Sequence, residues 1–452
     1  MSEFLAIIGF ASLILMVVVL LMDKASPQVT FIIISSIVGF GLVGLESLSV
    51  FGIHLGIGQV LGIKSGVFGL VELKGVIAAG VASVAETTAL FIFSILFFTI
   101  LGNVGVFERI INALIMRSGS NIYAIVILSV FVAVIAHLDG SGASTFLIAI
   151  PALLPIYQRL GMRPTTLMLI LTAAMGIMNL LPWGGPTLRV ATITQTDAMD
   201  LWFQIMPMQA VGLVLALILA LYMGFVEKRR GAGMQVKSGD ILDVEVRVYP
   251  KFWINIIIAL FVLVLLLLSG LPIYFPFMVG SAVALCVNYT ELKKQDKVVK
   301  EASSAAMMMA TTLLAAGVLI GVFDKSGIMK LMAQLILELM PESLGAYLAL
   351  IIGILAVPMA LIFCTDSYFY GILPIVASVG QAFGIDAITL GIVMVVCRNC
   401  ATFISPVVPA TLLGCGLSGV SIRLHIKTSF LWVWAISIIC LVSGILLGVI
   451  KI

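Results

Sequence analysis

The chain has 452 residues, of which 62% are hydrophobic and 10% charged, with a net charge of +3 and a mean hydropathy of +1.26. A soluble fold of this length cannot hide that much apolar surface in one core, and so small a net charge gives no basis for nucleic-acid binding. The composition leaves a chain that crosses a lipid bilayer many times.

The first apolar run, Phe4 to Leu21, follows Glu3 rather than a basic segment, so it reads as a span and not as a cleaved signal peptide. A second span follows. The stretch from Glu46 to Glu86 fits an outer loop, an interfacial helix or the start of a longer third span. That third span contains Leu90 to Gly102 and ends at Gly105-Val106-Phe107-Glu108-Arg109, an amphipathic stretch suited to a helix lying at the interface. Residues of about 121–158 predict a re-entrant hairpin. Its polar tip is His137-Leu138-Asp139-Gly140-Ser141-Gly142-Ala143-Ser144-Thr145, and its return arm runs from Phe146 to Gln158. At about 1.5 Å per residue that arm rises only about 20 Å, short of a full crossing. Residues of about 164–196 predict a helix broken at Asn179-Leu180-Leu181-Pro182-Trp183-Gly184-Gly185-Pro186, and Met206 to Phe225 closes the half.

Residues 227–251 form the most basic loop, with Lys228, Arg229, Arg230, Lys237, Arg247 and Lys251, and are placed in the cytoplasm. The second half, 252–452, repeats the order of the first, 1–226. Two spans begin it, Phe252 to Leu268 being the first, and a third ends at the amphipathic Ser326-Gly327-Ile328-Met329-Lys330. A hairpin over about 344–382 has the polar tip Cys364-Thr365-Asp366-Ser367-Tyr368. A helix over about 386–416 is broken at Asn399-Cys400-Ala401-Thr402-Phe403-Ile404-Ser405-Pro406, and Leu431 to Ile450 is the last span. The two breaks keep one register, 179 against 399 and 186 against 406. Each half crosses an odd number of times, so the second is inverted. The expected fold is an all-α integral membrane protein of about ten transmembrane helices plus two re-entrant hairpins in two inverted repeats, the plan of a secondary transporter with its site near the midplane.

The charges agree with this topology. Lys24, Arg109, Arg117, Arg159, Arg163, Lys293, Lys294, Lys297, Lys300, Arg423 and Lys427 fall on the cytoplasmic side. Lys64, Lys74, Lys325, Lys330 and Lys451 fall outside, with the N-terminus. The six cysteines lie in or beside apolar segments and read as reduced thiols. Cys397 and Cys400 form a C-x-x-C without the further ligands a metal site needs.

Pro removes a backbone donor and Gly loosens a helix, so each break frees amides and carbonyls that hydrocarbon cannot satisfy. Four ionisable residues lie at membrane depth: Asp139 and Asp366 at the hairpin tips, Arg189 and Arg398 beside the breaks. A guanidinium grips a carboxylate through two parallel hydrogen bonds. Arg189, Arg398 and the hydroxyls of Ser144, Thr145, Thr187, Thr402 and Ser405 are therefore the expected carboxylate-binding groups. Gly140, Ser141, Gly142, Pro182, Gly184, Gly185 and Ser367 of the same tips and breaks, with Asp139, Asn179, Asp366 and Asn399, complete the expected substrate-binding set. Asp139 and Asp366, with Asn179 and Asn399, would contact a cation, and the two aspartates or His137 would carry a proton. The bland alternatives are two internal ion pairs, one aspartate to each arginine, and a His137 bonded to a backbone carbonyl. The Met307-Met308-Met309 run reads as packing.

The segments Ala136 to Thr145 and Met178 to Thr187 resemble the citrate–metal:proton symporter family, within the ion transporter superfamily, and the similarity covers most of the chain. The resemblance implies a bacterial cytoplasmic-membrane carrier, not an enzyme, that takes up citrate complexed with a divalent metal together with protons. It also implies a homodimer, a transport domain moving like an elevator, and no cofactor beyond the transported metal. Sodium–dicarboxylate relatives carry Ser-Asn-Thr at the hairpin tip. This chain has Ala143-Ser144-Thr145, which argues against a sodium site of that kind. Charge supports the metal complex: moving one charge against 100 mV costs about 2.3 kcal/mol, so a trianion entering a negative interior opposes about three times that. A divalent metal reduces the charge to minus one, and two protons then reverse its sign. The rival readings are a proton- or sodium-coupled carrier of another organic anion (a dicarboxylate or a gluconate-like acid) and, further off, a channel or an intramembrane aspartyl enzyme.

Overall fold

The computed structural model describes residues 1–22, 24–47, 56–63, 65–118, 121–233, 249–268, 271–339, 345 and 347–450, and all regular structure among them is helical. Residues 234–248 of the basic loop, 48–55 before the third span and 340–344 at the start of the second hairpin lie outside the described residues, as do Lys64 and Lys451.

The first half comprises α1 (Ser2–Leu21), α2 (Pro27–Ser47), α3 (Ile57–Val60), α4 (Leu70–Ser83), α5 (Ala85–Asn103), α6 (Val106–Ser118), α7 (Ile122–Ala136), α8 (Gly142–Arg159), α9 (Pro164–Met178), α10 (Gly185–Thr194) and α11 (Ala198–Arg229). The second comprises α12 (Phe252–Leu268), α13 (Tyr274–Asn288), α14 (Leu292–Ile320), α15 (Ile328–Leu339), α16 (Leu348–Ala360), α17 (Leu373–Ala382), α18 (Ala387–Asn399), α19 (Pro409–Ser418) and α20 (Ile422–Leu446). Eight helical segments among the described residues are long and apolar enough to cross a membrane. Seven of them are spans expected from the sequence. The eighth, Ile122–Asp139, is the first arm of the first hairpin. The other three expected spans are shorter or divided: α12 and α13 have 17 and 15 residues, and the broken helix over 164–196 is split into α9 and α10 of 15 and 10 residues.

Residues 56–63 and 65–86 of the stretch before the third span are described and carry the short α3 and then α4, which runs on into α5 as one segment, Leu70–Asn103, of 34 residues, the same length as Leu292–Lys325 in the second half. Glu72, Lys74 and Glu86 interrupt the hydropathy there, but α4 is held by packing along α14. The two backbones touch at Gly80, where an added Cβ would lie 2.2 Å from the Gly317 carbonyl oxygen. Each long segment then turns into an amphipathic helix, α6 or α15, through a glycine with positive φ, Gly105 (75°) and Gly327 (96°). That backbone conformation suits glycine alone without strain. The first hairpin also differs from expectation. Its return arm starts at Gly142, not Phe146, because Ser141 accepts a capping bond from the Ser144 amide.

The helices assort into two bodies. The segments α2, α4, α5, α12, α13 and α14 pack on one another. Both hairpins, both broken helices, α11 and α20 form the other body, with α6 lying against α7 and α15 against α17 and α1. Faces turned outward are apolar, with Ile37 66% exposed and Ile257 64%, whereas Asn179, Arg398 and Asn399 are buried. That inversion of the soluble pattern is what lipid as solvent requires.

One polar cluster fastens the second body at the end of α11. Glu227 is fully buried and accepts hydrogen bonds from Arg163 Nε (2.6 Å), Thr166 Oγ1 (2.6 Å) and Arg230 Nη1 (3.3 Å). Both arginines are partly exposed, which screens the pairs. Glu227→Ala is expected to cost about 1–3 kcal/mol, less than a fully buried network, and to lower the melting temperature in detergent. An unchanged melting curve would show that the cluster does not brace this end.

Candidate functional site

Each helix break restarts through a proline in its first turn, Pro186 in α10 and Pro409 in α19, where the missing amide is no loss. The groups freed by the interruptions find partners in neighbouring elements. Gln209 Nε2 of α11 donates to the Ile177 carbonyl (3.1 Å), Trp183 Nε1 to the Leu138 carbonyl (2.7 Å), and Ser405 Oγ to the Ala360 carbonyl (2.5 Å). The first bond ties the first broken helix to α11, and the other two tie the first break to the first hairpin and the second break to the second. Arg189 and His137 supply the crossed ties. Arg189 of the first break pairs with Asp366 of the second hairpin, and the His137 ring meets Phe403 of the second break edge to face at 5.3 Å.

A cavity of about 430 Å³ opens where these four elements meet, within the range of small-ligand sites. Asp139, Gly140, Ser141, Gly142 and Ser144 line it from the first hairpin. Asn179, Gly185 and Arg189 line it from the first break, and Thr402 from the second. The other residues singled out in the sequence stand behind this wall. Asp366 carries the ion pair to Arg189, and Ser367 Oγ donates to the Cys364 carbonyl (3.1 Å). Thr145 Oγ1 bonds His137 Nδ1 (2.8 Å), so the histidine's partner is a hydroxyl and not a backbone carbonyl. Thr187 and Asn399 are buried, each with an unpartnered polar atom, Oγ1 and Nδ2 respectively. Pro182 and Gly184 turn the chain between α9 and α10.

The charged groups are not arranged as two pairs. Arg189 Nη2 lies 2.7 Å and Nε 2.8 Å from Asp366 Oδ1. Asp139 has no cationic partner among the described residues. Its Oδ1 accepts from the Ser141 amide (2.8 Å), and its Oδ2 accepts from Ser144 Oγ. Arg398 is fully buried with no carboxylate partner among the described residues. Its Nη1 donates to Thr402 Oγ1 (3.2 Å), its Nη2 donates to the Phe363 carbonyl (3.2 Å), its Nε has no partner, and its guanidinium lies over the rings of Tyr368 and Phe369. Thr402, which lines the cavity, thus links the buried Arg398 cation to the cavity wall. The N-termini of α8, α10 and α19 also end in the wall, and their dipoles favour negative charge. The cavity is therefore bipolar. Asp139 offers one anionic oxygen group, and two buried guanidiniums and three helix ends favour an anion.

The sequence reading missed the opposite wall. Phe91, Ser94 and Thr99 of α5, and Met308 and Met309 of α14, face the tips across the cavity. Small and apolar residues inside long apolar helices carry no local signal of such a role, and the methionine run reads as packing until the two bodies are brought together. The cavity spreads toward Thr99, near the end of α5, and Ala305 of α14, one turn from where Asn103 bonds Glu301. At the opposite end Gln195, the one non-glycine residue with positive φ among those described, joins the bodies: its Nε2 donates to Asp324 Oδ2 (2.6 Å) and its Oε1 accepts from Lys325 Nζ.

The sequence model of a family described as citrate transporters matches residues 4–397. A Bacillus subtilis (strain 168) protein named citrate transporter is 28% identical over 450 residues, 99% of this chain and 100% of its own length. A second from the same organism, named Mg(2+)/citrate complex secondary transporter, is 28% identical over 392 residues, covering 85% of this chain and 90% of its own. Among solved structures, that of the Alcanivorax borkumensis YdaH transporter superposes with a TM-score of 0.66 at 13% identity, over 94% of this chain and 98% of the other, a likeness of fold alone.

Proposed function

The chain belongs to the citrate transporter family, a transporter and not an enzyme, and from that premise we propose that it takes up citrate as a complex with a divalent metal, in symport with protons. The bipolar cavity is the observation that carries this reading. A complex of citrate with a divalent cation presents a metal and free carboxylate on one small body. The metal faces Asp139 and Asn179, with Asp366 and Asn399 behind the same tips and breaks. The carboxylates face Arg189, the Arg398–Thr402 pair and the helix ends. A hard divalent cation is suited by oxygen ligands, and the relative named as a Mg(2+)/citrate carrier supports that choice.

Movement follows from the two bodies. The proposed topology has ten spans and two re-entrant hairpins in inverted repeats, 1–226 and 252–452. It sits in a bacterial cytoplasmic membrane with the N-terminus outside and 227–251 in the cytoplasm. The Gln195–Asp324–Lys325 contact then closes the outer side, while the cavity spreads toward the cytoplasm. Elevator-like displacement of the hairpin body against α5 and α14 would expose the same cavity outside, in a homodimer whose fixed bodies form the scaffold. Asp139 and Asp366 are the proposed proton carriers, with His137 beside them, and no resident cofactor is required.

The test is uptake of labelled citrate into proteoliposomes with a panel of divalent metals and an imposed inward proton gradient. Uptake is expected to need both. Uptake indifferent to metal would move the chain to the carriers of other organic anions, and uptake indifferent to the gradient would remove proton symport.

A further inference from the structure

Arg189 has two edges that can each grip a carboxylate, Nε with Nη2 and Nη1 with Nη2. Asp366 fills the first, with one oxygen at 2.8 Å from Nε and 2.7 Å from Nη2. Arg189 lines the cavity and Asp366 does not, so this ion pair holds the guanidinium from behind. The second edge faces residues of the cavity wall. Nη1 stands over Gly185, so close that an added Cβ there would lie 2.8 Å from it. Nη2 reaches Met309 Sδ at 3.8 Å. A thioether is a weak acceptor and a poor match for a cation. Met309 also belongs to α14, in the body opposite Arg189.

We infer that the front edge of Arg189, Nη1 with Nη2, receives a carboxylate of the substrate, and that Met309 covers this edge in the empty carrier. Binding then replaces the thioether by a charged two-point partner and breaks a contact between the two bodies at the site itself. Asp366 becomes a positioning residue: it fixes the plane in which the fork is offered and keeps its place when substrate arrives. The inference rests on the carboxylate-substrate reading above and adds the residue that couples occupancy to release of the bodies.

The experiment uses the purified full-length Met309→Cys protein. Modification of the introduced thiol by a small thiol reagent is followed by peptide mass spectrometry, with the native exposed Cys286 as internal reference. Saturating magnesium citrate is expected to slow modification at position 309 by at least about tenfold while Cys286 is unaffected, since a carboxylate in the fork excludes the reagent. In parallel, Met309→Glu places a carboxylate at the edge and is expected to weaken citrate binding by about tenfold or more. Met309→Gln, of equal length but offering only a neutral amide oxygen to the edge, is expected to weaken binding less than Met309→Glu does. Citrate that binds without protecting position 309, or a Met309→Glu protein that binds as wild type does, overturns the inference. If magnesium citrate does not bind but another di- or tricarboxylate binds and protects, the citrate reading falls and the inference stands. If no carboxylate binds the wild type, both fall.

Discussion

Arg189→Gln is expected to weaken citrate binding by about 30-fold to several-thousand-fold, because removing one partner of a desolvated, hydrogen-bonded charge pair costs about 2–5 kcal/mol. The arginine is 7% exposed at its side chain and its back edge is committed to Asp366, while Arg398, the other buried guanidinium, is held by Thr402 and the Phe363 carbonyl. The single variant also strands the Asp366 carboxylate, a separate source of instability. The double variant Arg189→Gln/Asp366→Asn removes that charge. It is expected to recover the melting temperature in detergent without recovering binding. Arg189→Lys keeps the charge but loses the fork, and falls between the two. A double variant that binds citrate as tightly as wild type would show that Arg189 serves the fold alone.

The second large effect is expected from Asp139→Asn. The turn at the first hairpin tip aims this carboxylate, with the Ser141 amide on Oδ1 and the Ser144 hydroxyl on Oδ2. An ionised carboxylate has about four lone-pair positions, so these two bonds leave room for a cation on the cavity side. Asn preserves the shape and one acceptor oxygen but removes the charge. Metal-supported binding is expected to fall by about 2–5 kcal/mol, and the ratio of citrate affinities with and without metal to collapse toward one. Counterflow of labelled metal citrate in proteoliposomes provides the check. If Asp139→Asn exchanges metal citrate at the wild-type rate and fails only to accumulate it against a gradient, Asp139 handles a proton and not the metal.

Much of this site could be read from the chain because its devices are local. Gly and Pro at 182–186, and Asp139 followed by Gly140-Ser141-Gly142, interrupt apolar helices with groups that lipid cannot satisfy, and a polar Asp-bearing tip followed by a Pro-bearing break recurs in that order in the second half. The structure places those tips and breaks around one cavity. What could not be read depends on tertiary contact. Asp366 pairs with Arg189 across the halves, while Asp139 and Arg398 have no ion-pair partner among the described residues, and no spacing along the chain specifies that choice. The walls from α5 and α14 are built of residues such as Ser94, Thr99 and Met309, which serve lipid, packing or ligand equally well. For Leu70–Ser83 the chain leaves three readings open, because Glu72 and Lys74 lower its hydropathy, and the structure selects the longer third span. Packing along α14 through Gly80 supplies what hydropathy does not.

The most direct test of the account is calorimetric titration of citrate into the purified protein in detergent, with and without magnesium or another divalent metal, at one pH. A cavity that offers Asp139 to a metal and Arg189 to a carboxylate predicts that metal raises the affinity for citrate by at least about tenfold. Equal binding of citrate in the absence of any divalent metal would contradict it.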